Sequence, residues 1–393
     1  MSATQLQLST ERVNELVRLL TDSLVHLKDL DGTAIVTTPE GKVINQKEWT
    51  AWDWNQGVAL AVLYNHSAAR PSSSEAAYSL KTVLDWYELQ WKQTDGKGAP
   101  KNINTMAPLY SISSYLLDGR VKDERWSAWA EEWAEWAMNG LARTKEGGFQ
   151  HITYRVPNKD QLWDDTLFMT VVPLARIGVL LNRPEYIEEV KYQCLIHIHY
   201  LQDTVSGLWF HGWQFTEDGR GHNFARALWA RGNSWITYAI PLLLEILDGH
   251  PNWKENDPTR RTLVSTYRRQ VDALLECQDV GGLWHTILDD PTSYLEVSGT
   301  AGFAAGILMG VRTGLLDRAH YLPSAQKALA AILPNIQADG TVVNVSYGTP
   351  IGETIQFYKD IRLVPMPYGQ GLTMAALVEW TRLQAADAAA AQK

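Results

Sequence analysis

The sequence predicts an all-α fold, an (α/α)6 barrel, from three observations. About twelve segments carry apolar residues at helical spacing between clusters of glycine, proline and asparagine. Period-2 runs are scarce, with short strands expected only at 341–346 and 356–363. A loop motif also recurs, as Gly147-Gly148-Phe149-Gln150-His151, Gly207-Leu208-Trp209-Phe210-His211 and Gly282-Leu283-Trp284-His285. The copies lie roughly 60–75 residues apart, about one helical hairpin with its connections. Six hairpins closing on themselves give such a barrel, with the loops of one end around a single pocket.

The first helix follows Ser9 and Thr10 as candidate caps and places Val13, Leu16, Val17, Leu20, Leu24 and Leu27 on one face. Further helices are expected near 54–65, 74–92, 105–117, 125–143, 165–181, 185–202, 228–248, 259–277, 297–314, 321–333 and 370–386. The stripe Trp126, Trp129, Trp133 and Trp136 has helical spacing and reads as hairpin packing. Residues 94–102 and 251–258 read as surface loops. No composition shift divides the chain, so residues 1–393 read as one catalytic domain, with 385–393 an alanine-rich tail expected to fray.

Composition narrows the function. The net charge of −9 argues against nucleic-acid binding. Two cysteines, Cys194 and Cys277, make neither a disulfide framework nor a thiolate zinc cluster. Only Cys194 and His197 share a helix face, and His199 points elsewhere, so no metal site is expected there. The N-terminus shows no signal peptide and no stretch of about 20 apolar residues occurs, so the expected location is cytoplasmic with no membrane partner. Nucleotide-binding motifs are absent, and no cofactor is expected. The 17 tryptophans are about three times a usual share, and tryptophan is a good flat platform for sugar rings.

The segment Trp163-Asp164-Asp165-Thr166 puts two adjacent carboxylates before an apolar helix. One suffices as a cap; the other, beside a tryptophan, could have the raised pKa a general acid needs. In Trp229-Ala230-Arg231-Gly232-Asn233-Ser234-Trp235, the arginine offers a planar fork for a carboxylate or vicinal hydroxyls, and the tryptophans could stack on a ring. His151, His211 and His285 share a repeat position, so at least one is expected on the pocket. The aromatic group Trp49, Trp52 and Trp54, followed by Asn55-Gln56-Gly57, reads as a sugar platform or a barrel wall.

Seven motifs occur in order: WDWNQGVAL (52–60), GGFQH (147–151), WDDTLFM (163–169), GLWFHGW (207–213), WARGNSW (229–235), SYLEVSGTA (293–301) and YGQG (368–371). Together they resemble glycoside hydrolase family 105, the unsaturated rhamnogalacturonyl hydrolases, relatives of the family 88 unsaturated glucuronyl hydrolases. The resemblance spans about residues 45–385 and implies an (α/α)6 barrel. It also implies a reaction in which the C4=C5 vinyl ether of a lyase-generated unsaturated uronic acid is hydrated, without metal or organic cofactor. By motif, Asp165 resembles the catalytic acid/base, and Trp163, His151 and His211 resemble its pocket neighbours. Trp229, Arg231 and Trp235 resemble a substrate-holding trio, with Arg231 expected to meet the uronate carboxylate, helped by His211. Trp52 is expected on the sugar, and Asp164 becomes the better capping candidate. One departure is Asn104, which falls where the family has a second acid; an amide can hold a hydroxyl or water but is no base. Another is Ile152, where relatives often place a cation.

Three alternatives stand beside this reading. An ordinary inverting glycosidase would pair Asp165 with Glu296 or Asp53 across about 6.5–9.5 Å. A sugar epimerase would use His211 and His285. A helical-repeat binding protein would show a polar concave face and no buried acid. The expected partner is an unsaturated oligosaccharide, and the expected state a monomer or weak homodimer.

Overall fold

The computed structural model describes residues 8–392 apart from 31, 39, 40 and 42. In chain order the helices are α1 (Thr10–His26), α2 (Trp54–Ala69), α3 (Ser74–Thr94), α4 (Leu109–Leu117), α5 (Glu124–Glu135), α6 (Val172–Leu180) and α7 (Pro184–Leu201). They continue with α8 (Ala230–Leu247), α9 (Pro258–Cys277), α10 (Val297–Arg312), α11 (Arg318–Ile332), the short α12 (Ile355–Lys359) and α13 (Pro367–Ala391). Each inner helix packs on the next in the order α2, α4, α6, α8, α10, α13, and α13 returns to α2. The outer helices α3, α5, α7, α9 and α11 each back the inner helix before them, and α1 backs α13. This is the closed (α/α)6 barrel that the loop repeat predicts. None of these helices is long and apolar enough to cross a membrane.

Inner and outer helices differ as burial dictates. In α1 only Val13, Leu16, Val17, Leu20, Thr21 and Leu24 are buried, and Ser9 caps it by accepting Arg12 N–H. In α10 every residue from Val297 to Val311 is buried, as expected of a helix enclosed on all sides. Its glycines permit the close approach: a side chain at Gly306 would strike the Thr237 backbone of α8. The tryptophan stripe is packing, with Trp126, Trp129 and Trp133 buried against Trp52 and Trp91.

The repeated loops are tight turns. Gly147, Gly207 and Gly282 all have positive φ, at 78°, 85° and 101°, the region glycine enters without a Cβ clash. Each glycine donates its N–H to the carbonyl three or four residues back, Thr144, Asp203 and Asp279 respectively. Gly340 (φ 82°) repeats the turn by donating to Gln337, a fourth copy whose sequence hides it.

Short strands decorate the loops: β1 (Ile35–Thr37), β2 (Val43–Asn45), β3 (Gln161–Trp163), β4 (Gly212–Phe215), β5 (Gly221–His222), β6 (Trp284–His285) and β7 (Leu295–Glu296). They pair antiparallel as β1–β2, β3–β4–β5 and β6–β7. The strand expected at 356–363 is instead α12, capped by Thr354, followed by an isolated bridge between Ser346 and Leu363. The segment 341–346 likewise makes only isolated bridges. Helix α13 continues through the alanine-rich stretch to Ala391, as alanine's helix propensity favours. The two chain ends meet: Trp380 Nε1 of α13 donates to the Leu8 carbonyl at 2.9 Å.

Candidate active site

The loops before the inner helices gather at one end of the barrel. β3 brings Trp163 opposite Gly212 of β4, where any side chain would collide with Ile351. This register sets His211 beside Asp164, whose N–H donates to the His211 carbonyl at 3.1 Å. A π-helical turn, Leu167–Val171, then leads into α6; such turns are rare and frequent at functional sites.

Asp165 keeps 15% of its side chain exposed, and its Oδ2 lies 3.3 Å from His211 Nε2, within ion-pair range. The His151 ring stacks on Trp163 with centroids 4.2 Å apart and planes 1° from parallel. His151 Nδ1 meets Thr166 Oγ1 at 2.8 Å, which fixes the ring from its other edge. His211 is held similarly, with Trp229 against its face at 4.3 Å and Tyr358 Oη at 2.9 Å from Nδ1. Tyr358 Oη accepts the Gly352 N–H, so its own hydrogen points to His211 Nδ1. That leaves the His211 proton on Nε2, facing Asp165.

Burial pushes His151 down to about 3, against the pull of Asp165. Burial also lowers His211, although Asp165 opposes it. Both rings are therefore neutral at pH 7. The raised carboxyl pKa expected at Asp165 belongs to Asp164. Burial, then the Asp165 charge, push Asp164 well above the usual carboxylate range. Asp165 is also raised by burial, but the His211 ring nitrogen 3.3 Å away and the neighbouring Asp164 bring it down to about 2. Asp164 is not a well-formed helix cap either: no hydrogen bond of ordinary geometry reaches its oxygens.

The cavity above Asp165 holds about 200 Å³, below the ~300–1,000 Å³ of drug-sized sites and suited to one sugar unit. His151, Trp163 and Asn104 line it with Asp165, as the sequence anticipates. The expected platform is displaced by two residues. Trp52 is 4% exposed, stacks on Trp133 and donates to the Thr105 carbonyl, so it belongs to the barrel wall. Trp54, stacked on Tyr368, faces the cavity instead.

His211, Trp229 and Trp235 lie behind the lining, all buried. Arg231, 1% exposed, is sandwiched between Trp229 and Tyr368. Its guanidinium donates to the carbonyls of Ser346 and Tyr347 and to Thr349 Oγ1, at 2.7, 2.9 and 3.1 Å. It therefore holds the 346–349 wall, a correction to its expected direct contact with the carboxylate. Arg155 is the one cation among the described lining residues. His285 is outside the lining and bonds the Ser293 carbonyl.

The partners needed by an inverting glycosidase are engaged elsewhere. Glu296 caps α10, its oxygens accepting from Ser298 and Gly299 N–H. Asp53 caps α2 and accepts from Gln46. Sequence reasoning missed Tyr358, Arg155 and Thr166; only Thr166 carried a signal, by following the acidic pair. Asp164, Asp165 and His211 are the one group among the described residues whose donor atoms, within 4.8 Å, could surround a metal ion. Two carboxyl groups so close and so buried also have the chemistry of a shared proton, since the charge of one disfavours ionisation of the other.

The sequence matches the profile of Glycosyl Hydrolase Family 88 over residues 26–384. The chain belongs to this family. It is 33% identical over 338 residues to the unsaturated rhamnogalacturonyl hydrolase YesR of Bacillus subtilis (strain 168), covering 84% of this chain and 89% of YesR. Among solved structures, it is 43% identical to a possible member of the GH105 family from Salmonella enterica serovar Paratyphi A, with a TM-score of 0.89 over 97% of this chain and 96% of that one. A possible GH105 member from Klebsiella pneumoniae is 42% identical, also at 0.89, over 97% of this chain and 95% of that one. Membership in the glycosyl hydrolase family agrees with the barrel and sets aside the epimerase and the binding-protein alternatives.

Proposed function

We propose that the protein removes a 4,5-unsaturated uronic acid from the non-reducing end of lyase-generated oligosaccharides, with rhamnose as the leaving sugar, as the name of YesR suggests. The observation that carries this reading is a single partly exposed carboxyl, Asp165, at the floor of a one-sugar cavity, with no second carboxylate among the described lining residues. Hydrolysis at the anomeric carbon uses two carboxylates; hydration of a vinyl ether needs one acid that later accepts a proton.

In that reaction Asp165 protonates C4, and water adds to C5 while giving its proton back to Asp165. The resulting hemiketal opens and releases the next sugar. Asn104, in the same cavity, holds the water or a sugar hydroxyl. Trp54 and Trp163 border the ring, and Arg155 receives the uronate carboxylate. Arg231 adds positive potential from behind the wall. The cavity takes the unsaturated sugar and leaves the next sugar outside it, and we extend the reading to a cytoplasmic enzyme acting as a monomer or weak homodimer.

The test is ultraviolet absorbance of unsaturated galacturonyl-rhamnose incubated with the protein. The conjugated double bond absorbs, and hydration removes the signal. Asp165→Asn should lower the rate by ~10²–10⁴-fold. Release of rhamnose with the absorbance intact would instead show cleavage at the anomeric carbon and refute the proposal.

A further inference from the structure

Asp164 is the ionisable group of the site that the reaction above leaves without a task. Its side chain is wholly buried, and it presses so closely on the first turn of α8 that a methyl on Gly232 would collide with its Oδ2. No N–H or hydroxyl of the protein satisfies either oxygen. Its polar neighbour is the Asp165 carboxyl, whose charge bears directly on it. One oxygen from each carboxyl and one His211 ring nitrogen lie within 4.8 Å of one another. Two carboxyl groups held this close and out of water do not both ionise, so the pair retains one proton.

We propose that Asp164 holds the proton that Asp165 delivers to C4, so that the catalytic unit is a carboxyl pair and Asp164 its positioning and proton-storing member. This rests on the vinyl-ether reading above. The transfer balances without a co-reactant. The Asp164 O–H bond breaks as an Asp165 O–H forms; that bond breaks in turn as the C4=C5 π pair takes the proton. Water then bonds to C5, and the proton it releases returns through Asp165 to Asp164. One water is consumed and the pair ends as it began.

The surroundings favour this division. Asp165 faces His211 and the cavity, where a negative charge is stabilised, whereas Asp164 is fully buried beside its partner carboxyl, where the neutral form is favoured. The other charged or titratable groups around the pair are His151, His211, Tyr358 of α12 and Arg231 of α8. Both histidines are neutral at pH 7 and Arg231 has no proton to give, so none of these supplies the proton as readily as Asp164.

Asp164→Asn separates proton storage from shape, because the amide keeps the volume and can donate a hydrogen bond to Asp165 but cannot transfer a proton. Two readouts are needed. In the infrared spectrum at pH 7, wild type should show a protonated-carboxyl C=O band that Asp164→Asn lacks and Asp165→Asn keeps. In the absorbance assay, Asp164→Asn should lower kcat by ~10²-fold or more, leave KM within about threefold and move the pH optimum to the acid side. Asp165 must then take its proton from solvent, and acid makes that easier.

A wild-type spectrum without the band overturns the proposal, and needs no folded variant. So does an Asp164→Asn enzyme whose rate is unchanged, or is reduced equally at every pH, as a packing defect would do. Loss of activity on chelation, restored by a divalent cation, would make the cluster a metal site and also overturn it. If wild type leaves every unsaturated disaccharide intact, the vinyl-ether reading falls, and the infrared comparison still decides where the proton resides.

Discussion

Replacing Tyr358 with phenylalanine removes one oxygen and leaves the ring in place, edge-on to His211 at 5.7 Å. Two buried groups lose their partner: the Gly352 N–H, 3.1 Å from Oη, and His211 Nδ1, 2.9 Å away. At about 1–3 kcal/mol for each unsatisfied group, partial relaxation leaves a loss of about 2–4 kcal/mol. With an unfolding entropy of ~2.1 cal/mol/K per residue over 393 residues, that lowers Tm by about 2–5 °C. The catalytic effect is separate. Without the hydroxyl, the His211 proton can reside on either nitrogen, and Asp165 loses a donor that stabilises its charge. The same 1–3 kcal/mol predicts a kcat lower by ~10–100-fold. KM should change little, because Tyr358 is not in the cavity lining. Calorimetry and the absorbance assay, both run across pH, measure the two effects. A Tm within 1 °C of wild type together with an unchanged kcat would refute the tautomer argument.

Two further predictions follow from single residues. Arg155→Ala should raise KM by ~10–100-fold, the value of about 1.5–3 kcal/mol for a hydrogen bond to a charged group, with kcat nearly constant; a methyl-esterified substrate should be indifferent to the change, and equal sensitivity of acid and ester would send the carboxylate elsewhere. Asp53, wholly buried at the start of α2, is pushed up by burial to about 6 against hydrogen bonds from Gln46, Trp54 and Asn55. A carboxyl raised on folding supports stability below its unfolded value of about 4 and loses that support as pH rises through about 6. Asparagine caps as well and stays neutral, so Asp53→Asn should raise Tm at pH 8 and bring no gain at pH 3.5; a fall at pH 8 would refute the assignment.

The barrel was legible because its signals are local and repeated. A glycine that must adopt positive φ recurs at Gly147, Gly207 and Gly282, and helical periodicity fills the intervals. The strands were not legible, since runs of two to four residues are too short for a period to register. Tyr358 was lost with them, on a segment read as a strand that forms α12. Within the site, His151, Trp163 and Asp165 were found because adjacent motif residues stay adjacent in space. Trp52 and Trp54 could not be told apart: they flank the helix start at Asp53, where helical period does not yet say which side faces the cavity. Arg231 was misjudged because its partners are backbone carbonyls more than 100 residues away, which residue type cannot announce. The acidic pair was visible in the sequence, but the pKa of Asp165 depends on His211, a residue brought in by the β3–β4 pairing.

The closure of the ring has a consequence for synthesis. The cavity wall at 347–350 is pinned by Arg231, and Tyr368 of α13 donates to the Ser346 carbonyl at 2.6 Å. α13 also covers the exposed sides of α2 and α10 and ties down the segment before α1 through Trp380 and Leu8. A nascent chain therefore carries Asp165 and His211 of the candidate site long before it has a pocket. Until the last helix leaves the ribosome, two apolar helix faces stay open to chaperones and proteases. A chain that stops some 25 residues early therefore lacks both the helix that closes the ring and the anchor of the cavity wall.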